Sequence, residues 1–177
     1  MTELPYYKLP DPPEEMNAAN LLIRLVDTLG FRYRWATEGL REVNMKFQPC
    51  DSSMTLGDLM EHLYNLIAVT DTFITGQEHG RGASMTLEER RKTTLDILVS
   101  LREKLHHLND DYLEKRRWFV PWGGKEYPIW FLINGPLSDA LTHVGQVASW
   151  RRINGNPILG ANVFFGTPPK KLPKIGK

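Results

Sequence analysis

Three residues in this chain have the types and spacing for metal chemistry: His62, Asp139 and His143. Asp139 and His143 fall in the run Gly135-Pro136-Leu137-Ser138-Asp139-Ala140-Leu141-Thr142-His143-Val144-Gly145-Gln146. Residues four apart share a helix face, with Cβ atoms roughly 5–6 Å apart. A carboxylate and an imidazole so placed can meet one ion if a third donor arrives from a neighbouring helix, and His62 is the candidate donor. The plainer alternative is a buried polar cluster in which Asp139 accepts a hydrogen bond from His143 and nothing is bound, since a histidine on an apolar face is usually a hydrogen-bonded core residue. Asp58 precedes His62 by the same four residues. A two-metal arrangement is conceivable, but an aspartate in a first helical turn is adequately explained by the helix dipole. Gln146, one turn beyond His143, could orient that ring from behind. Asn134 and Trp35 are further pocket candidates, although Asn134 beside Gly135-Pro136 suits a helix irregularity and Trp35 suits core packing. His79 falls in a loop and His106-His107 off the leucine stripe of their helix, so all three read as solvent-exposed.

These side chains need helices to position them, and the apolar periodicity supplies four. The first helix is expected over about 14–42, with Leu21, Leu22, Leu25, Val26, Leu29, Tyr33, Ala36, Leu40 and Val43 on its stripe. The second starts after Ser53 and ends at Gly76 and Gly80-Arg81-Gly82. The third follows Thr86, whose Glu89 three residues on signals a capping box, and carries Leu95, Leu98, Leu101, Leu105 and Leu108. The fourth spans about 128–154, with Pro136 as a kink or break. Between the last two, Trp118 to Lys125 suggests a small hairpin around Gly123-Gly124. Residues 1–13 hold four prolines and should run extended over the surface. Residues 155–177 form a basic Gly/Pro/Lys-rich tail in which Val163-Phe164-Phe165 should pack rather than dangle. Four amphipathic helices bury their faces only against one another, so the expectation is an all-α, single-domain four-helix bundle over 14–154, with connections long enough for a crossover.

Composition narrows the functional classes. The 177 residues carry a formal charge of +1, with 41% hydrophobic and 24% charged, ordinary for a globular domain and no overall pull toward nucleic acid or an anionic membrane. The balance is local: Lys170, Lys171, Lys174 and Lys177 set aside, 18 basic residues face 21 acidic ones. That tail should hold anions non-specifically and in a salt-sensitive way. The arginines are scattered among acids and form no phosphate-tracking stripe, so no specific nucleic-acid partner is expected. Cys50 is the only cysteine, which excludes an intrachain disulfide and a cysteine-built zinc site. No apolar leader opens the chain and no stretch is long enough to span a bilayer; the expectation is a cytoplasmic protein with no membrane partner.

The segments Thr55-Leu56-Gly57-Asp58-Leu59-Met60-Glu61-His62-Leu63 and His143-Val144-Gly145-Gln146-Val147 resemble the second-helix and fourth-helix signatures of the DinB-like family. The resemblance implies a four-helix bundle with a divalent metal held by three histidines, one from helix two and two from helix four, the latter spaced His-x-x-x-His before Gly-Gln. His62 matches the first ligand and His143 the last, while Asp139 stands where the family has histidine. A carboxylate there would shift preference toward harder ions, or mark a site that has lost its metal. Zinc or nickel is expected first, with iron or manganese as alternatives. The resemblance further implies a metal-dependent hydrolase or a thiol-dependent transferase, and pairing as a homodimer. The alternative is a non-catalytic bundle whose aromatic run (Trp118, Phe119, Trp122, Tyr127, Trp130, Phe131) meets a partner.

Overall fold

The structure, a computed structural model, describes residues 4–120 and 123–170. Pro121 and Trp122 of the expected hairpin and Lys171, Lys174 and Lys177 of the tail lie outside the described residues. Helix α1 spans Ala18–Ala36, starting later and ending earlier than the periodicity suggested. Its start is set by caps: the Asn17 side chain accepts the Asn20 N–H at 2.9 Å and Asp110 accepts the N–H groups of Ala18 and Ala19, using donors a helix leaves free. Its end is set by Thr37, whose hydroxyl donates to the Tyr33 carbonyl, and by Gly39 at φ 74°. Leu40 and Val43 match the helical period but lie beyond this stop, and Val43 is exposed. Glu42–Lys46 forms a short 3-10 turn.

Helix α2 spans Leu56–Thr75, opened by a Thr55/Asp58 capping box and closed by left-handed Gly76. Helix α3 spans Leu87–Leu105 behind the expected Thr86/Glu89 capping box. A six-residue helix, α4 (Asp110–Lys115), comes next; it escaped the periodicity because Leu113 is its one buried side chain. The hairpin is present: β1 (Arg117–Val120) pairs antiparallel with β2 (Lys125–Pro128), Trp118 opposite Tyr127. The last helix is continuous through Pro136. It consists of α5 (Ile129–Leu132), a π turn over Ile133–Leu137 and α6 (Ser138–Ile153). The wider turn accommodates a proline that lacks an N–H, and the Ser138 hydroxyl donates to the Ile133 carbonyl at 2.6 Å.

The packing order explains the long connections. Helix α1 packs on α3 and α6, and α2 also packs on α3 and α6, which leaves α1 and α2 diagonal. Arg91 bonds Thr37 and Arg102 bonds Asp27, so α1 and α3 run antiparallel. Arg90 reaches Gly57 and Lys104 reaches Asp71, so α2 and α3 run parallel. Residues 76–86 must therefore return along the bundle, the expected crossover. This return is fastened: Tyr64 donates to the Gly80 carbonyl at 2.8 Å, and His79 bonds the buried Asp71 at 2.6 Å. His79 is thus mostly buried, not solvent-exposed as its loop position suggested, whereas His106 and His107 are exposed.

The N-terminal arm is not merely laid over the surface. Tyr6 is buried, with φ 61°, and its ring fills the space where Gly30 lacks a Cβ. Trp35 is buried under the same arm, its indole N–H donating to the Tyr7 carbonyl. At the other terminus an antiparallel bridge joins Asn162 and Thr167. The expectation that Phe164 and Phe165 pack away is overturned: they are 91% and 81% exposed.

Candidate metal centre

His62 comes after the buried Leu59 and Met60 on α2 and precedes the buried Leu63, so it sits at the edge of the apolar stripe. Asp139 and His143 occupy the first turns of α6, beside buried Ala140 and Val144. The π turn matters to this placement. One residue more per turn rotates the remainder of the helix by roughly 100° relative to an uninterrupted one, and α6 meets α2 with that rotation in place.

The ring Nε2 of His62 lies 3.2 Å from Asp139 Oδ2, and that of His143 lies 3.3 Å from Asp139 Oδ1. The two imidazoles stand edge to face with centroids 4.8 Å apart. One ligand atom from each of the three residues lies within 4.8 Å of the other two. Donors bound 2.0–2.2 Å from a tetrahedral ion are themselves about 3.3–3.6 Å apart, close to the two nitrogen–oxygen separations seen here. The side chains of His62 and Asp139 are 39% and 44% exposed, His143 only 15%. The cluster is therefore a half-open notch between α2 and α6, which disfavours the reading of a buried polar knot.

Gln146 completes the arrangement. Its Oε1 is 2.5 Å from Nδ1 of His143. A carbonyl oxygen only accepts, so Nδ1 carries the proton, and in the neutral ring Nε2 is then a lone pair. That lone pair faces a carboxylate oxygen, and two acceptors at this distance need a cation or a proton between them. The donor set fits a divalent ion on these grounds.

The other candidates sit elsewhere. Asp58 accepts from the Thr55 N–H and hydroxyl, a capping role. Asn134 is exposed in the π turn, and Trp35 belongs to the arm contact described above. An apolar groove of about 700 Å³ between α1 and α5, lined by Leu21, Leu25, Leu113, Trp130 and Ile133, has no counterpart in the sequence reading. Leu21 was assigned to the core stripe, yet it is 49% exposed. Asp110 and Glu114 also line that groove, but among the described residues the one three-donor cluster is that of His62, Asp139 and His143.

No family model and no curated protein matches this chain. Solved structures do. YfiT from Bacillus subtilis, described as a probable metal-dependent hydrolase with an unusual four-helix bundle topology, is 13% identical with a TM-score of 0.55, over 82% of this chain and 94% of that one. A DinB family member from Shewanella denitrificans is 16% identical with a TM-score of 0.53, over 88% of this chain and 93% of that one. The fold is thus that of the DinB-like four-helix bundles. At these identities the likeness concerns the fold, and the site stands on its own geometry. No helix among the described residues is long and apolar enough to cross a membrane.

Proposed function

We propose that His62, Asp139 and His143 hold one divalent ion and that the protein is a metal-dependent hydrolase, with thiol transfer as the alternative chemistry of the same site. The observation that carries this reading is the convergence of one ligand atom each from His62, Asp139 and His143 within 4.8 Å, with Gln146 Oε1 set against Nδ1 of His143 from behind. An ion held by three protein donors keeps open positions and supplies Lewis acidity, polarising a carbonyl or acidifying a water. Zinc or nickel suits the two imidazoles; the carboxylate widens the range toward iron and manganese. The chain's own residues define the rest. His62 and Asp139 leave the notch open on the solvent side for substrate to approach, while Ala140 and Val144, next to Asp139 and His143 along α6, are buried. Glu61 adjoins His62 but lies about 100° round the helix, so it is not assigned as a base.

The resemblance of the two signature segments and the described role of YfiT support the hydrolase class; cytoplasmic location and pairing as a homodimer are carried as parts of the same proposal. The test is metal content by mass spectrometry on tag-free protein beside His62→Ala. Near-stoichiometric metal in the parent and none in the variant is expected. Absence of metal after incubation with zinc, nickel, manganese and anaerobic iron would refute the site and leave the bundle as a binding module.

A further inference from the structure

Phe164 and Phe165 stand 91% and 81% exposed, side by side, in a chain that buries nearly all its other phenylalanines at least in part. They are held out by a closed turn. The Asn162 carboxamide oxygen accepts the N–H groups of both Phe164 and Phe165 at 3.0 and 3.1 Å. Below it, Asn162 and Thr167 exchange both backbone hydrogen bonds. Gly166, at φ 61°, is pressed against Leu9 so closely that a Cβ would come within 2.2 Å of that side chain, and its carbonyl accepts the Leu9 N–H. The backbone of the turn is thus pinned to the N-terminal arm. An ordered apolar tip of this kind is the reverse of what solvation alone favours.

Charge points to what meets it. Asp139 is the last acidic residue; beyond it come Arg151, Arg152, Lys170, Lys171, Lys174 and Lys177. Lys170 is exposed just after the turn, and exposed Lys8 adjoins the Leu9 on which the turn rests. The rest of the protein is slightly acidic. Two protruding aromatic rings flanked by lysines combine the two signals that together hold a protein at an anionic bilayer surface, where one alone gives marginal binding. Single-stranded nucleic acid is the poorer fit, because its platforms align rings and cations along a groove, whereas here the two exposed rings are neighbours on one short turn.

We infer that this turn is a peripheral docking element for anionic lipid, its phenylalanines entering the interface and its lysines meeting the headgroups. The absence of a spanning helix and the small net charge, which argued against a membrane partner, do not bear on such a local contact. The element is separate from the metal notch and stands or falls independently of it.

Vesicle co-sedimentation tests it, with phosphatidylcholine vesicles against vesicles that also contain phosphatidylserine. Binding to the anionic vesicles only is expected. It should weaken about fivefold for each lysine neutralised and vanish near 1 M salt, where screening acts within about 3 Å. Phe164→Ser with Phe165→Ser should lower partitioning by about tenfold or more. Circular dichroism and metal content should be unchanged, since both rings are in solvent. A quadruple Lys170→Gln, Lys171→Gln, Lys174→Gln and Lys177→Gln variant should also lose binding. No binding to anionic vesicles, or binding indifferent to the phenylalanines, would overturn the inference. So would a dimer by light scattering that the double phenylalanine variant dissolves, or single-stranded RNA held as tightly through the same residues.

Discussion

Gln146 Oε1 lies 2.5 Å from Nδ1 of His143, and this contact between residues three apart on α6 selects the ring nitrogen that faces Asp139. Groups that hold a ligating histidine from behind typically carry 10–100-fold in metal affinity. Gln146→Leu keeps the side chain's size and helix propensity but removes the acceptor. Zinc affinity by competition titration is expected to fall about 10–100-fold with the helical circular dichroism unchanged. Unaltered affinity would mean that the His143 tautomer is set by something other than this bond.

Asp139→His rebuilds a three-imidazole set at the position where the resembled family carries histidine. Imidazoles favour zinc and nickel, carboxylates the harder manganese. The variant should therefore keep zinc and lose manganese relative to the parent, while Asp139→Ala should weaken both. Isothermal titration with each metal reads the difference. If Asp139→Ala holds zinc as tightly as the parent, Asp139 is a neighbour and the ion is held by other donors.

The four helices, the Thr86/Glu89 capping box and the clustering of His62, Asp139 and His143 were legible because each rests on local signals: a 3.6-residue period, a Thr-x-x-Glu start, an i, i+4 pair. The features that were missed depend on specific contacts that periodicity and composition do not encode. His79 looked like a loop residue, and only the parallel arrangement of α2 and α3 brings the 76–86 return past Asp71. Leu40 and Val43 continue the period of α1, but Thr37 and Gly39 stop the helix before them. Phe164 and Phe165 were expected inside because aromatic residues usually are; a turn closed by Asn162 overrides that tendency. Pro136 was read as a kink or break, yet a π turn lets the helix pass. The readings that failed were averages over local composition at places where one specific contact, tertiary for His79 and local for the others, decided the outcome.

Glu38 gives the fold an acid-sensitive joint. Burial opposes ionisation of its carboxyl, but the guanidiniums of Arg91 and Arg34, both in contact with it, outweigh burial and hold it below the usual carboxylate range. A carboxyl with a folded-state pKa below its unfolded value of about 4.3 stabilises the fold above that value, and the contribution is lost as pH falls through the folded-state pKa. Thermal melts from pH 7 downward should show the parent losing stability below about pH 4.3, and Glu38→Gln should flatten that part of the profile. The variant should also be less stable at pH 7, because Arg34 and Arg91 then lose the carboxylate they share. A parent and variant with parallel profiles would show that other carboxylates carry the acid response.

Gly30 is a helix-interior glycine whose replacement by alanine should, on propensity alone, stabilise α1 by about 1 kcal/mol. The opposite is expected. A Cβ at position 30 would lie 2.6 Å from the Tyr6 ring, and that ring is buried and held by an arm whose backbone at Tyr6 is already left-handed. Overpacking of this kind costs about 1–3 kcal/mol, so Gly30→Ala should lower the thermal midpoint even though the helix itself gains. Tyr6→Ala separates the two effects, since it removes the ring and with it the clash. In that background Gly30→Ala should become stabilising, leaving propensity alone to act. The sign reversal across the double-mutant cycle is the diagnostic. The same sign in both backgrounds would mean that the arm leaves its seat at little cost, and that Tyr6 contributes little to holding the bundle together.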